Sequence, residues 1–140
     1  MAWRVAKSLA KLKDQVNKKW PNRKIDNDGT IGDEAHKSSS SDHNAWVKDG
    51  SKGVVTALDI THDPANGCDA GKIAEAIRAS QDPRVKYIIW NRRICNFQKV
   101  GSAKAWTWRK YTKKNPHTEH VHISVRSMKE QYDATDAWKI

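Results

Sequence analysis

The 140-residue chain carries six histidines: His36, His43, His62, His117, His120 and His122. Three fall in one run, His117-Thr118-Glu119-His120-Val121-His122-Ile123-Ser124. Alternate residues of a strand share a face, so His120, His122 and Ser124 point one way and Val121, Ile123 and Val125 the other. Two imidazoles on one face of a strand whose other face is apolar need partners, because an unpaired buried polar group is costly. Asp59 lies within the apolar run 54–60, where Thr56 is its only polar neighbour on that strand. A carboxylate at such depth is rarely unpaired. His43 closes a serine-rich loop. His43, Asp59 and one histidine of the His120-x-His122 pair form a set of two imidazoles and one carboxylate. Zinc takes such ligands at about 2.0–2.2 Å, and three protein ligands leave a position for water, the catalytic pattern. The competing reading is an ordinary core aspartate with surface histidines.

These residues need elements to hold them. Val5, Leu9, Leu12 and Val16 recur at helical spacing, which predicts an amphipathic helix over 2–19, stopped by Pro21 and packed on the core. Residues 21–53 read as loop, with turns at Asn27-Asp28-Gly29, Asp49-Gly50 and Lys52-Gly53. A strand is predicted over 54–60, and Asp69 is a good N-cap for a helix through about Ser80. Further strands are expected at 85–90 and 121–125. A hairpin is expected within 95–115, with Trp106 and Trp108 in alternation. The tail reads as a short helix or an edge segment. The expected class is α+β: one domain over 1–140, with a small antiparallel sheet, flanking helices (the first within 1–20) and a zinc site on the open sheet face.

Lys and Arg number 26 against 16 Asp and Glu, a net charge of +10 that attracts polyanions. No block of five consecutive basic residues occurs, which speaks against a nucleic-acid arm. Seven tryptophans speak against a disordered basic tail. No run approaches the roughly 18–20 apolar residues of a membrane span, and no apolar run follows the basic N-terminus as in a secretory signal peptide. Cys68 and Cys95 lack CxxC spacing and are expected as buried free thiols, with one disulfide as the alternative.

Ser41-Asp42-His43, Ala57-Leu58-Asp59 and Glu119-His120-Val121-His122 resemble the pattern of the zinc peptidases of peptidoglycan: the D-alanyl-D-alanine carboxypeptidases and the phage L-alanyl-D-glutamate endolysins, whose fold the hedgehog N-terminal domain shares. The runs 28–33, 41–44, 57–64 and 91–94 are similar to small phage proteins of this type, and the likeness spans roughly residues 25–126. It implies one zinc ion per chain held by His43, Asp59 and His122, with Glu119 as general base, His120 polarising the oxyanion and Ser41 in a supporting role. The step of sixteen positions from His43 to Asp59 exceeds the family's usual gap, Trp46 stands where a glycine is expected, and Val121 replaces a tryptophan.

On a regular strand Glu119 faces away from His122, because their separation is odd. It reaches the zinc side only if residues 117–120 form a turn, which Asn115-Pro116 favours. Otherwise His120, on the face of His122, is the better base. Arg92, Arg93 and Lys37 are candidate partners for a carbonyl oxygen gaining charge, and His62 is a candidate support for Asp59. His36 and His117 read as surface histidines, and Trp46, Trp106 and Trp108 as groove lining or anchors.

The implied function is zinc-dependent hydrolysis of a peptidoglycan stem-peptide bond. The basic surface would meet anionic wall polymers, and the protein would be made in a bacterial host's cytoplasm and act on the wall after release. The alternative is a catalytically inactive, zinc-stabilised binding module for cell wall or protein. A nuclease would need a histidine–asparagine–histidine unit that His43-Asn44 does not supply, so nucleic acid is not an expected partner.

Overall fold

The computed structural model describes residues 2–30, 41–113, 115 and 117–140. Its elements are β1 (Trp3–Val5), α1 (Lys7–Lys19), β2 (Val47–Asp49), β3 (Lys52–Val55), β4 (Ala57–Thr61), α2 (Ala70–Ser80), β5 (Val85–Trp90), β6 (Arg93–Asn96), β7 (Arg109–Lys110), β8 (His120–Val125) and α3 (Lys129–Tyr132). His36, Lys37 and Pro116 lie outside the described residues. No described helix is long and apolar enough to cross a membrane.

The class is α+β. Five strands form an antiparallel sheet in the order β4-β8-β5-β6-β7. Its two faces follow from alternation. Leu58, Ile60, Val121, Ile123, Val125 and Ile88 are buried on one face against Ile73, Ala74 and Ile77 of α2 and Leu9, Leu12 and Val16 of α1. The other face carries Asp59, His120, His122 and Ser124. Asp69 caps α2 as its position predicts, accepting the N–H groups of Gly71 and Lys72.

Three expectations need correction. Residues 3–5 are not helical: β1 pairs parallel with β3, beside β2, in a three-stranded sheet. Trp3 and Val5 alternate around Arg4, whose guanidinium forks onto Asp133 and reaches Asp49, and these contacts need extended backbone. The apolar run 54–60 is not one strand. It breaks at Thr56, where the Thr56 N–H goes to the Asp42 carbonyl and the chain passes from the three-stranded sheet into the five-stranded one. The Trp-rich stretch forms the expected hairpin only in part, through β6 with the two-residue β7 and a bridge between Val100 and Ala103, and its tryptophans do not alternate on a strand. Trp106 has φ of 60° and lies outside any strand. It and Trp108 anchor to α2 instead: Arg78 donates to the Trp106 carbonyl, and the Trp108 indole donates to Glu75. Cys68 and Cys95 are free and buried, and burial raises both thiol pKa values, that of Cys95 to about 12.

One buried ion pair secures the segment that leads to the functional face. The Arg23 guanidinium binds both oxygens of Asp28, with side-chain exposures of 2% and 7%. Asp28 also accepts the backbone N–H and hydroxyl of Thr61. Burial raises the Asp28 carboxyl pKa, but these hydrogen bonds and the Arg23 charge outweigh it and hold it below the usual range. Asp28→Asn strands a buried guanidinium and is expected to cost about 3–5 kcal/mol near neutrality. Because the folded pKa is depressed, that stability is full above about pH 4 and is lost as pH falls through the folded value. Urea melts of wild type and Asp28→Asn from pH 7 to 3 should therefore converge toward acid, and a constant gap would refute the pair's role.

Candidate metal centre

Asp59 on β4 and His122 on β8 stand directly opposite each other. Such residues share a face with their Cβ atoms about 4.5–5.5 Å apart. Their side chains meet, with His122 Nδ1 3.1 Å from Asp59 Oδ1. His43 arrives from the loop before β2 and places Nε2 3.2 Å from Asp59 Oδ2 and 3.2 Å from His122 Nδ1. The backbone N–H of His43 is held by the Ser41 hydroxyl at 3.2 Å. The far nitrogen of each ring is also held. His43 Nδ1 donates to the Thr30 carbonyl at 2.8 Å, and since a carbonyl only accepts, the Nε2 lone pair of the neutral ring faces inward. His122 Nε2 lies 2.8 Å from the Ser124 hydroxyl, which frees Nδ1 for the same point. Thr30 is brought there by the bridge between Gly29 and Asp59 that follows Asp28. Tyr87 of β5 stacks on the His122 ring, with centroids 5.4 Å apart and planes 10° apart.

His43 Nε2, His122 Nδ1 and the Asp59 carboxylate thus converge on one place, the imidazole nitrogens within hydrogen-bond distance of the carboxylate and of each other. Burial lowers the His43 pKa, but the Asp59 contact and the Thr30 carbonyl more than restore it, and the net shift is upward. Burial raises the Asp59 pKa, but His122 and His43 hold it well below the usual carboxylate range. The donor set His43, Asp59 and His122 fits a metal ion, and His117, His120 and Asp59 form a second group of suitable type. Two imidazoles and a carboxylate are ligands that zinc accepts.

His120 is half-buried, with Nε2 3.5 Å from Asp59 Oδ2, and this buried nitrogen makes no hydrogen bond among the described residues. Burial lowers its pKa by more than Asp59 restores. His117 corrects the surface reading. It is 8% exposed, and its ring packs edge-on against His120 at 4.8 Å and His122 at 5.4 Å. Its backbone explains this. A positive φ of 56°, an N–H held by Asn115 Oδ1 and a carbonyl held by the Asn91 N–H turn the ring inward. Burial and the neighbouring imidazoles lower its pKa to about 4. The signal available in the sequence was the spacing His117-x-x-His120-x-His122 after an asparagine that can hold a tight turn.

The other candidates are more scattered. Glu119 is exposed at the bend before β8, its carbonyl accepts the His62 N–H, and its carboxylate binds no described residue. His62 Nδ1 accepts the Ala70 N–H at the start of α2, and its ring leans on Trp90. Arg92 is exposed at the apex of the β5–β6 turn with φ of 65°. Arg93 lies over Trp108 on the opposite sheet face. Trp46 is 50% exposed, its indole N–H held by Asp42.

The chain matches no protein-family model, no curated protein and no solved structure.

Because a metal must displace protons from this cluster, its affinity is pH-dependent. Zinc affinity of the wild type is expected to fall about tenfold per pH unit for each proton displaced, once pH drops below the raised His43 value. His43→Ala and His122→Ala should each lose binding. Chelator competition between pH 7.5 and 5.5 checks this, and a flat profile would exclude His43 as a ligand.

Proposed function

We propose that the chain is a zinc-dependent peptidoglycan peptidase that hydrolyses an amide bond of the stem peptide. The carrying observation is the convergence of His43 Nε2, His122 Nδ1 and the Asp59 carboxylate, with the opposite ring nitrogens committed to Thr30 and Ser124. The order of the serine–histidine, alanine–aspartate and glutamate–histidine motifs supports the same reading. The +10 charge suits a protein held on anionic wall polymers, which it reaches after release from the bacterial cytoplasm where it is made.

His43, Asp59 and His122 would hold the zinc ion, which would supply Lewis acidity to activate water and polarise a carbonyl. The chain's own groups do the rest. Asp59 stays ionised and offsets the cation's charge. Ser124 and Tyr87 fix the His122 ring from its edge and its face, and Thr30 fixes that of His43. His120 is the proton acceptor in this reading, because its buried Nε2, beside Asp59, makes no hydrogen bond among the described residues and its lowered pKa keeps the ring neutral near pH 7. It takes a proton from the attacking water and returns it to the leaving amine. His117, edge-on to His120, restricts that ring. Glu119, at the rim, is the alternative base.

Elemental analysis together with muropeptide digestion read by mass spectrometry tests the assignment. His122→Ala should lose both zinc and hydrolysis. His120→Ala should keep zinc and lose about 10²–10⁴ in kcat, while Glu119→Gln changes little. Hydrolysis surviving in His122→Ala would remove the metal from the mechanism. A collapse in Glu119→Gln with His120→Ala active would move the base to Glu119. Bound zinc with no turnover on any muropeptide would favour the binding module.

A further inference from the structure

The sheet face that carries the histidines continues past β5. Ile89 opposes His122, Ile94 opposes Ile89, and Arg109 opposes Ile94, so the four residues form one row across four strands on one face. Beside that row runs a partly exposed path. Tyr87 stacks on His122, Asn96 opposes Tyr87, and Asn96 Oδ1 accepts from Arg109 Nη2 at 2.8 Å. Tyr87, Asn96 and Arg109 are all half-buried, so each keeps some access to solvent.

Arg109 differs from the chain's other well-placed arginines. Arg4, Arg23, Arg78 and Arg84 each fork onto a carboxylate, and Arg93 and Arg126 lie over aromatic rings. Arg109 has one neutral partner, Asn96, and no described carboxylate pairs with it. A guanidinium carries five N–H donors in a planar fork that matches a carboxylate. Holding one arm on an amide oxygen orients the fork and leaves the remaining donors for a ligand.

We propose that Arg109, steadied by Asn96, binds the C-terminal carboxylate of the peptide whose scissile bond lies at His43, Asp59 and His122. The inference rests on the peptidase reading of that site and adds a length requirement. Neighbouring strands are about 4.8 Å apart, so the Arg109 backbone stands about 14 Å from His122 along the row, while its guanidinium, which reaches back over β6 to Asn96, stands about 10 Å away. An extended peptide covers about 3.3–3.6 Å per residue. The anchored carboxylate therefore belongs about three residues beyond the cut. Removal of a single terminal residue would need its carboxylate one residue from the reacting carbonyl, far short of Arg109. The geometry points to an endopeptidase that cuts near the start of a short acidic peptide.

The test uses the stem tetrapeptide L-Ala-D-Glu-L-Lys-D-Ala as the free acid and as its C-terminal amide. Dissociation constants are measured calorimetrically for zinc-loaded wild type, Arg109→Gln and Arg109→Lys, each first shown to melt cooperatively. Wild type should bind the acid about tenfold or more tightly than the amide, as expected for a charge-assisted hydrogen-bonded pair. That preference should vanish in Arg109→Gln and survive in part in Arg109→Lys. In hydrolysis, Arg109→Gln should raise KM and leave kcat nearly unchanged. Equal preference for acid over amide in wild type and Arg109→Gln, or none in wild type, overturns the proposal. Absence of hydrolysis by wild type, with the acid preference intact and dependent on Arg109, would instead sink the peptidase reading while leaving the carboxylate site standing.

Discussion

The opposition of Asp59 and His122 across β4 and β8 is the constraint on which the candidate centre depends. In an antiparallel pair, a one-residue slip turns every side chain to the other face. Here a slip of β4 would drive Asp59 into the core and push Leu58 and Ile60 out of it, and a slip of β8 would do the same to His122 and to Val121 and Ile123. The burial of those four residues pins the register, so the hydrophobic effect that folds the sheet also brings the carboxylate to the imidazole. No separate device is needed to align the two.

His43 is held by different means, because a loop offers no register. Its position rests on a relay of polar contacts. Arg23 fixes Asp28, Asp28 fixes Thr61, the Gly29–Asp59 bridge follows, and the Thr30 carbonyl then orients the His43 ring. Each step buries a polar group and satisfies it, which makes the relay specific and also brittle. The cluster it completes gathers two imidazoles and a carboxylate at one buried point, a concentration of polar groups of the kind that folded proteins keep at working sites.

Much of this was legible in the sequence, and what was not has physical reasons. The β4 and β8 strands, the Asp69 cap and the grouping of His43, Asp59 and His122 follow from alternation, capping chemistry and motif order. The break at Thr56 is hidden because Val54 to Ile60 reads as one apolar strand, and only the Asp42 carbonyl reveals the switch between sheets. The inward turn of His117 depends on a left-handed backbone that histidine seldom adopts, so its burial has no periodic signature. Arg109 could not be placed on the histidine face without the pairing of β6 with β7, a two-residue ladder too short to announce itself. Arg92 and Arg93 looked better placed because they follow a clear strand, but the tight turn between β5 and β6 leaves one at its apex and the other on the far face.

The two thiols add a consequence of another kind. Cys68 sits in the loop before α2, its Sγ 3.6 Å from the Thr61 carbonyl, and Cys95 lies on β6. Both are fully buried. The thiolate is the reactive form, and a thiol held near pKa 12 supplies almost none of it at neutral pH. The folded protein is therefore chemically silent toward alkylating reagents and mild oxidants. Each sulfur becomes an internal clock for the opening of its own neighbourhood, one on each flank of the strands that carry the histidines. Their relative labelling rates would report whether those flanks breathe together or apart.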